Sequence, residues 1–256
     1  MNNKTQIIAT IGPTSNTKDI LKDMILSGMN IARLNFSHSN HDSHKEYISN
    51  IKELNQELNT NIKIIADLSG PRMNTKDGHG FDKDEEEVFT DKDKEDLKFV
   101  LEEVDFVAMS YVGEANDILS LRNYMQNLGK VLPIIAKIER KIAYLNIDEI
   151  LKEADMIMIA RGDLGNEVPL EQIPFIEKDI INRCKENNKP VIVATQMMLS
   201  MTNSEKPTRA EVTDVAYAVI SGADFVMLSE ETAKGMYPVE AVKMMHQIIE
   251  ESSQHI

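Results

Sequence analysis

The sequence predicts an α/β protein, a (β/α)8 TIM barrel built as a single domain. Short apolar runs rich in β-branched residues alternate with longer segments of helical periodicity, which is the pattern of successive βα units. There are eight such runs, and the 256 residues of the chain match the usual barrel size of about 250 residues. The first run is followed by Gly12-Pro13 and not by the Gly-rich turn of a doubly wound sheet, which is the main competing fold.

The eight predicted strands are short, and a stretch of helical periodicity follows each of them. They span residues 6–11, 30–36, 62–67, 106–111, 133–139, 156–161, 191–196 and 225–229. Among the helical segments, residues 17–26 follow Ser15 and Asn16 as potential N-caps, and Gly28 provides a stop signal. Two further segments, residues 91–103 and 170–189, are charged on one face and apolar on the other, as expected of the outer helices of a barrel.

One segment after the third predicted strand, residues 76–91, has no apolar periodicity. It contains Gly78, Gly80 and the acidic run 82–87. We therefore expect a solvated loop here, since a run of like charges is usually a soluble surface. No internal repeat or low-complexity linker divides the chain, so residues 1–256 are expected to form one domain.

The composition excludes several classes of protein. With 42 acidic and 28 basic residues the formal net charge is −14, which disfavours binding to nucleic acid because such binding requires clustered cations. No apolar run reaches the roughly 18 residues of a membrane-spanning helix and no secretory leader is evident, so we expect a cytoplasmic protein without membrane contact. The single cysteine, Cys184, can form neither an internal disulfide nor a Cys-rich metal site.

In a barrel of this kind the chemistry lies at the carboxyl ends of the strands and in the loops that follow them. Polar side chains stand at six of these positions. In chain order they are Arg33, Asn35 and Ser37; Asp67, Ser69 and Arg72; Lys137 and Glu139; Arg161 and Asp163, with Gly162 between them; Thr195 and Gln196; and Ser229, Glu230, Glu231 and Thr232. Each of these side chains alone could be a surface ion pair, but a barrel gathers all of its strand ends at one mouth.

Two of these residues predict a metal site. Glu139 and Asp163 follow adjacent predicted strands, so their carboxylates can converge on one hard divalent cation, Mg²⁺ or Mn²⁺, whose preferred ligands are oxygens. Lys137 lies two residues from Glu139, on the same face of its strand. A lysine beside a metal suits an enolate, because both cations stabilise the oxyanion.

Seven segments together carry a family resemblance: residues 9–12, 32–38, 136–139, 160–165, 194–197, 206–212 and 227–235. In order and spacing they resemble the characteristic segments of pyruvate kinase, and the resemblance extends from about Thr5 to Ile249. It implies a catalytic barrel of glycolysis that moves a phosphoryl group between phosphoenolpyruvate and ADP, giving pyruvate and ATP, with Mg²⁺ as cofactor.

The resemblance also implies a role for each matching residue. Glu139 and Asp163 are similar to the Mg²⁺ ligands, and Lys137 to the catalytic residue beside the transferring phosphoryl group and the enolate oxygen. The other implied roles are Thr195 near the carbon that gains a proton; Arg33 at the phosphate; Ala160, Arg161 and Gly162, with Thr195, at the substrate; Asn35, Ser37 and Asp67 at the monovalent cation; and Pro13, Arg33, Asn35 and His38 at the nucleotide.

The chain also departs from the family pattern. The family has a lid domain after the third strand, where this chain has only residues 76–91, and it continues into a C-terminal domain beyond Ile256. Asn74 stands where the family usually has a second phosphate-contacting Arg, and Ser69 replaces a frequent Lys. These changes are expected to weaken phosphoryl transfer, because water is excluded less well and a cation is lost, while the enolate machinery is kept.

Arg72 occupies a position that is usually acidic in family members that depend on K⁺ and basic in members that do not. Its positive charge can stand in for the monovalent ion. The resemblance therefore implies that K⁺ is not required.

Three functions stay open at this point. The first, which we favour, is a reduced pyruvate kinase. The second is a Mg²⁺-dependent enzyme that enolises pyruvate without nucleotide, as an oxaloacetate decarboxylase or an aldolase would. The third is a non-catalytic regulatory or truncated relic. We also expect a homodimer, because the helices near residues 208–221 and 238–250 would otherwise lack cover.

Overall fold

A computed structural model describes residues 5–75, 78–81 and 87–256 of the chain. Eight parallel strands close into a barrel and alternate with helices, in the order β1-β10-β9-β8-β7-β6-β3-β2, which confirms the predicted fold class. In chain order the strands are β1 (Gln6–Thr10), β2 (Met29–Asn35), β3 (Lys63–Asp67), β4 (Arg72–Thr75), β5 (Gly78–Phe81), β6 (Phe106–Met109), β7 (Ile134–Ile138), β8 (Met156–Ala160), β9 (Val191–Ala194) and β10 (Phe225–Leu228). The eight barrel strands all begin and end within two residues of the predicted bounds.

The helices fill the intervals between the barrel strands. They are α1 (Lys18–Leu26), α2 (His41–Leu58), α3 (Asp91–Val100), α4 (Ala115–Asn127), α5 (Lys141–Leu145), α6 (Ile147–Glu153), α7 (Arg161–Glu167), α8 (Ile173–Glu186), α9 (Arg209–Ser221), α10 (Glu230–Ala233) and α11 (Pro238–Ser252). Within the described residues, no helix combines the length and the apolar character needed to cross a bilayer.

One compact unit comprises Met1–Ile65 and Ile192–Ile256. In this unit β1 lies between β10 and β2 with all three strands parallel, and β10 also pairs with β9. The predicted cap of α1 is wrong, because the side chain of Thr17 accepts the hydrogen bond from the Ile20 backbone, while Ser15 Oγ accepts one from the Gly12 backbone instead.

The other compact unit comprises Ala66–Val191. Strands β6, β7 and β8 are parallel neighbours there, and every residue of β7 and β8 is buried, as expected of strands covered on both faces. Helix α3 begins with a capping box formed by Thr90 and Asp93. Asp93 Oδ1 also accepts a hydrogen bond of 3.1 Å from the Gly70 backbone, which fixes the loop after β3 to the start of α3.

The segment predicted to be a solvated loop, residues 76–91, is partly a β-hairpin. Strands β4 and β5 pair antiparallel, with Arg72 opposite Phe81 and Met73 opposite Gly80. The prediction of an irregular segment is therefore wrong for residues 78–81, because a strand rich in glycine has no apolar periodicity that the sequence could show. Residues 76, 77 and 82–86, which include most of the acidic run, lie outside the described residues.

Candidate active site

Lys137 is the centre of a buried charge cluster at the end of β7. Its ammonium Nζ lies 3.0 Å from Asp67 Oδ1 and 3.0 Å from Glu139 Oε1. Ser110 Oγ accepts a further hydrogen bond from Nζ at 2.7 Å, so the three protons of the ammonium group have three acceptors. None of the four residues is more than 7% exposed. We call these four residues the Lys137 cluster.

The cluster carries more negative than positive charge. Burial raises the pKa of Glu139 above its ordinary value, and the nearby carboxylates of Asp163 and Asp67 raise it further, while the Lys137 ammonium opposes this effect. Two carboxylates thus contact a single ammonium, and a third, that of Asp163, lies near Glu139. Carboxylate oxygens beyond those that satisfy the ammonium are ligands of the kind that a divalent cation prefers.

The two predicted metal ligands fit Mg²⁺ in their chemistry. Glu139 directly follows β7, and Asp163 lies in the first turn of α7, directly after the neighbouring strand β8. Both supply the carboxylate oxygens that hard cations prefer. No group of three or more acidic, histidine or cysteine side chains that could hold a metal is found in the part of the chain that the structure describes. The protein's share of such a site would thus be these two carboxylates, with substrate and water oxygens as the other ligands.

The segment predicted to receive the substrate carboxylate turns sharply from strand to helix. Strand β8 ends at Ala160, and Arg161 begins α7, so the predicted strand 156–161 is one residue too long. The Arg161 guanidinium points to α8 and not to the strand end. Its Nη1 lies 3.1 Å from the carboxylate of Glu177, whose side chain is 1% exposed. The side chain of Arg161 therefore anchors α7 to α8, and its contribution to ligand binding would come from the backbone.

Two residues of this site, Ser110 and Tyr111, were not predicted as functional. Ser110 Oγ bonds to Lys137 and donates to the Leu68 carbonyl at 2.6 Å. The backbone N–H of Tyr111 donates to Glu139 Oε2 at 2.6 Å, and Tyr111 has a positive φ of 56°, which is strained for a large side chain. The sequence does place Ser110 and Tyr111 at the end of the fourth predicted strand. This position could have identified them as site residues, because the ends of the neighbouring strands contribute to the same cluster.

Ser69 lies in the loop after β3, and Arg72 is the first residue of β4. Lys92 on α3 donates to Ser69 Oγ at 3.0 Å, so a cation from a helix stands next to the position where the family frequently has a Lys. Burial raises the pKa of the Tyr111 phenol, and the Glu139 and Asp163 carboxylates raise it further, while the positive charge of Arg72 opposes them.

In the other unit, Arg33 is buried at the end of β2. It is 8% exposed, and its Nη1 donates to Thr10 Oγ1 at 2.9 Å. Thr10 Oγ1 in turn donates to the Leu228 carbonyl at 2.9 Å, so the guanidinium is held by a chain of polar contacts across β1. This arrangement fixes the orientation of a cation that the resemblance assigns to the phosphate.

The turn after β2 contains three more predicted residues. Asn35 Oδ1 accepts a hydrogen bond of 3.0 Å from the Ser37 backbone, and His38 N donates to the Asn35 carbonyl at 3.1 Å. His38 is exposed, and its carbonyl contacts His44 Nε2 at 3.0 Å. His44 itself is 2% exposed and stacks on Phe36 with ring centroids 4.2 Å apart. Pro13, by contrast, is exposed in the loop after β1.

Thr195 follows β9 in a strained backbone conformation. Its φ is 77°, and that of the next residue, Gln196, is 56°. For a β-branched residue a positive φ is a genuine outlier that costs about 1–3 kcal/mol, and such strain is found mainly at functional sites. This strain supports the choice of Thr195 as a site residue on a ground independent of the sequence.

Glu231, at the start of α10, is a buried carboxylate near the end of β10. It is 0% exposed and accepts backbone hydrogen bonds from Met198 at 3.1 Å and from Ser229 at 2.8 Å. Burial raises the pKa of Glu231 above its ordinary value of 4.5 despite these bonds.

We expect Glu231→Gln to flatten the pH dependence of folding stability. Because the pKa of Glu231 is raised in the folded state, the stability that this group contributes is present at low pH and is lost as the pH rises above 4.5 toward the raised pKa. An amide does not ionise, so the variant lacks this loss. Urea unfolding between about pH 4.5 and pH 7 measures the slope, and Glu240→Gln on an exposed part of α11 is the control. If the unfolding free energy of Glu231→Gln falls with pH as steeply as that of wild type, the raised pKa of Glu231 would be contradicted.

Comparisons with a family model and with known proteins identify the same family. A family model described as pyruvate kinase, barrel domain, matches residues 2–88 and 85–242. Pyruvate kinase of Geobacillus stearothermophilus is 36% identical to this chain over 332 residues, covering 97% of this chain and 57% of the relative. Pyruvate kinases of Thermococcus litoralis and Agrobacterium vitis are each 35% identical, covering 98% and 99% of this chain and 70% and 69% of the relatives.

The chain spans little more than half the length of the Geobacillus relative. The alignment runs over 332 residues, against 256 in this chain, so the relative contains residues inside the aligned region that this chain lacks. The two matched pieces of the family model meet at residues 85–88, shortly after strand β5. The match is thus interrupted within residues 76–91, the segment predicted to stand in place of the family's lid domain.

Proposed function

Because this chain belongs to the pyruvate kinase family, we propose that it is a pyruvate kinase-like phosphotransferase acting on phosphoenolpyruvate or pyruvate with ADP or ATP. The observation that carries the proposal is the Lys137 cluster, in which a buried ammonium lies between Asp67 and Glu139 with the Asp163 carboxylate nearby. Such a cluster is costly to bury without a function, because a charge removed from water must be compensated by its partners.

Glu139 and Asp163 would hold Mg²⁺ or Mn²⁺. When bound, the ion supplies positive charge to the enolate oxygen and to the oxygens of the phosphoryl group. Lys137 is positioned to donate a hydrogen bond to the same oxygens, since Asp67 and Glu139 fix its ammonium on two sides. Tyr111 N holds the second oxygen of Glu139, which orients that carboxylate.

The remaining roles are proposals from the resemblance. Arg33 contacts the phosphate, Thr195 orders the proton donor for the enolate carbon, and the backbone of residues 160–162 receives the substrate carboxylate. The nucleotide side comprises Pro13, Arg33, Asn35 and His38. A single barrel domain, in which residues 76–91 stand in place of a lid, and a homodimer are also proposed. In favour of the dimer, Ile220 on α9 is 52% exposed.

A metal and nucleotide titration followed by coupled turnover tests the proposal. We expect pyruvate to form from phosphoenolpyruvate only when both ADP and Mg²⁺ are present, with one ATP made for each pyruvate. Omission of either component is the internal control. Pyruvate formation at the same rate without ADP would contradict phosphoryl transfer to nucleotide.

The interrupted family match favours a second candidate, a Mg²⁺-dependent enzyme that enolises pyruvate without nucleotide. Residues missing from the middle of the match would weaken nucleotide binding and water exclusion, whereas the Lys137 cluster would still stabilise an enolate. Exchange of the pyruvate methyl protons in deuterated water supports enolisation in either case. Oxaloacetate decarboxylation or aldol addition without any ADP-dependent turnover would select this second function.

We expect turnover to be independent of K⁺. Asp67, a predicted ligand of the monovalent cation, is 0% exposed and already lies 3.0 Å from the Lys137 ammonium, and Arg72 adds a positive charge near Tyr111. A site supplied with cationic side chains gains little from a further monovalent cation. Assays in which tetramethylammonium replaces K⁺ at constant ionic strength test this expectation, which a steep K⁺ requirement would contradict.

A further inference from the structure

The end of the β4–β5 hairpin is fixed by one aromatic side chain. Phe81, the last residue of β5, lies opposite Arg72, the first residue of β4, in the antiparallel register. Whatever holds Phe81 therefore also holds the backbone of Arg72. Among the described residues, no barrel strand pairs with this two-stranded sheet, so we expect its position to depend on side-chain contacts.

Phe81 is held by two neighbours. The guanidinium carbon of Arg140 lies 3.8 Å from the centroid of the Phe81 ring, which is a close cation–π stack. The ring of Tyr111 lies on the Phe81 ring with centroids 5.6 Å apart and an interplanar angle of 52°. Phe81 thus connects the hairpin to Arg140, which directly follows Glu139 in the chain. It also connects the hairpin to Tyr111, whose backbone N–H donates a hydrogen bond to Glu139.

Arg140 is itself fixed in place. Its Nη1 donates to the Tyr111 carbonyl at 3.3 Å, and a Cβ added to Gly113 would come within 2.9 Å of that nitrogen. A side chain at position 113 would therefore require the guanidinium to shift from this position. The stack is therefore part of a fitted arrangement of Phe81, Arg140, Tyr111 and Gly113, which we call the Phe81 anchor.

The Phe81 anchor also determines the position of Arg72, which lies opposite Phe81 in the hairpin. The Nε of Arg72 is buried and has no hydrogen-bond partner among the described residues, so that nitrogen is held by packing. Because Arg72 belongs to β4, its side chain moves when the hairpin backbone moves.

We propose that Phe81 and Arg140 are positioning residues, whose stack holds the hairpin on Tyr111 and thereby fixes the backbone from which the Arg72 side chain extends. The catalytic consequence rests on the proposed function, whereas the structural consequence does not. A substitution in the anchor should loosen the hairpin and, with it, withdraw the positive charge that we expect to replace K⁺.

Hydrogen exchange measured by mass spectrometry tests the structural part without any turnover. In Phe81→Ala, amides of residues 72–75 and 78–81 should exchange about 2- to 30-fold faster than in wild type, which corresponds to the loss of one cation–π contact. Phe175→Ala removes the same side chain from an exposed position, 75% exposed on α8, and should leave the hairpin unchanged. Arg140→Lys keeps the charge but not the planar stack, and should give an intermediate rate. Wild-type exchange in the hairpin of Phe81→Ala would overturn the proposal.

The response to K⁺ tests the second part. In Phe81→Ala, K⁺ should raise turnover and lower the KM for phosphoenolpyruvate, while wild type and Phe175→Ala should show neither effect. A purely structural role for Phe81 would lower turnover without creating a K⁺ response. If hairpin exchange accelerates but turnover of Phe81→Ala stays insensitive to K⁺, the link to Arg72 is overturned. Absence of turnover in wild type would count against the proposed function and leave the exchange result valid.

Discussion

Lys137→Met is expected to lower turnover by about 10³-fold or more, because the variant lacks the cation placed beside the developing oxyanion. The variant should also be less stable. Removing the ammonium leaves the carboxylates of Asp67 and Glu139 buried without their common partner, at a cost of about 3–5 kcal/mol. The far-UV circular dichroism spectrum should keep its native form, since the surrounding strands are unchanged. Coupled pyruvate formation and urea unfolding measure the two effects.

Lys152→Met is the matched control for this variant. Lys152 lies on α6 in the same compact unit, its side chain is 63% exposed, and it forms an ion pair with the exposed Glu149. We expect wild-type turnover and a change in unfolding free energy of less than about 1 kcal/mol, as is usual for surface ion pairs. Full activity in Lys137→Met would remove the assignment of Lys137 as the catalytic cation.

Glu139→Gln is expected to weaken Mg²⁺-dependent binding of oxalate by at least about 100-fold, because one of two charged ligands becomes neutral. The fold should tolerate this change. A glutamine has nearly the same shape, its carbonyl oxygen can accept the bond from Tyr111 N, and Lys137 keeps Asp67 and Ser110 as partners. Isothermal titration calorimetry with Mg²⁺ and oxalate measures binding, and thermal unfolding reports the fold.

Glu149→Gln provides the control, since the side chain of Glu149 is 64% exposed on α6 and changes charge in the same way. It should bind Mg²⁺ and oxalate as wild type does. Glu139→Gln with wild-type metal-dependent binding would contradict the choice of ligand. Loss of binding together with unfolding would be attributed to stability, so the thermal unfolding curve distinguishes the two results.

The barrel strands could be predicted because their signal is local. A strand buried on both faces is a short, nearly continuous apolar run, as in β7 and β8, and such runs are visible in the sequence without knowledge of neighbours. The charged residue within β7, Lys137, was equally visible because it interrupts that run. The family resemblance then supplied roles for residues at the strand ends.

The contacts that complete the site could not be predicted in the same way. The bond from Tyr111 N to Glu139 joins residues 28 positions apart, and the pairing of Lys137 with Asp67 joins residues 70 positions apart. Such contacts depend on strand order and on side-chain rotamers, which no periodicity encodes. The same holds for the hairpin, since Phe81 becomes informative only when Arg140 is seen to stack on it.

The ammonium of Lys137 already has acceptors supplied by the chain itself, namely Asp67, Glu139 and Ser110. An anion that binds to the ammonium must therefore replace one of these three partners, because no N–H group of Lys137 is left without an acceptor. The heat of association will be the small difference between two hydrogen bonds of similar strength. The affinity of the Lys137 ammonium for an anion thus depends on how strongly its present partners bind it. The Ser110 hydroxyl is the neutral one among them and is therefore the partner most easily replaced.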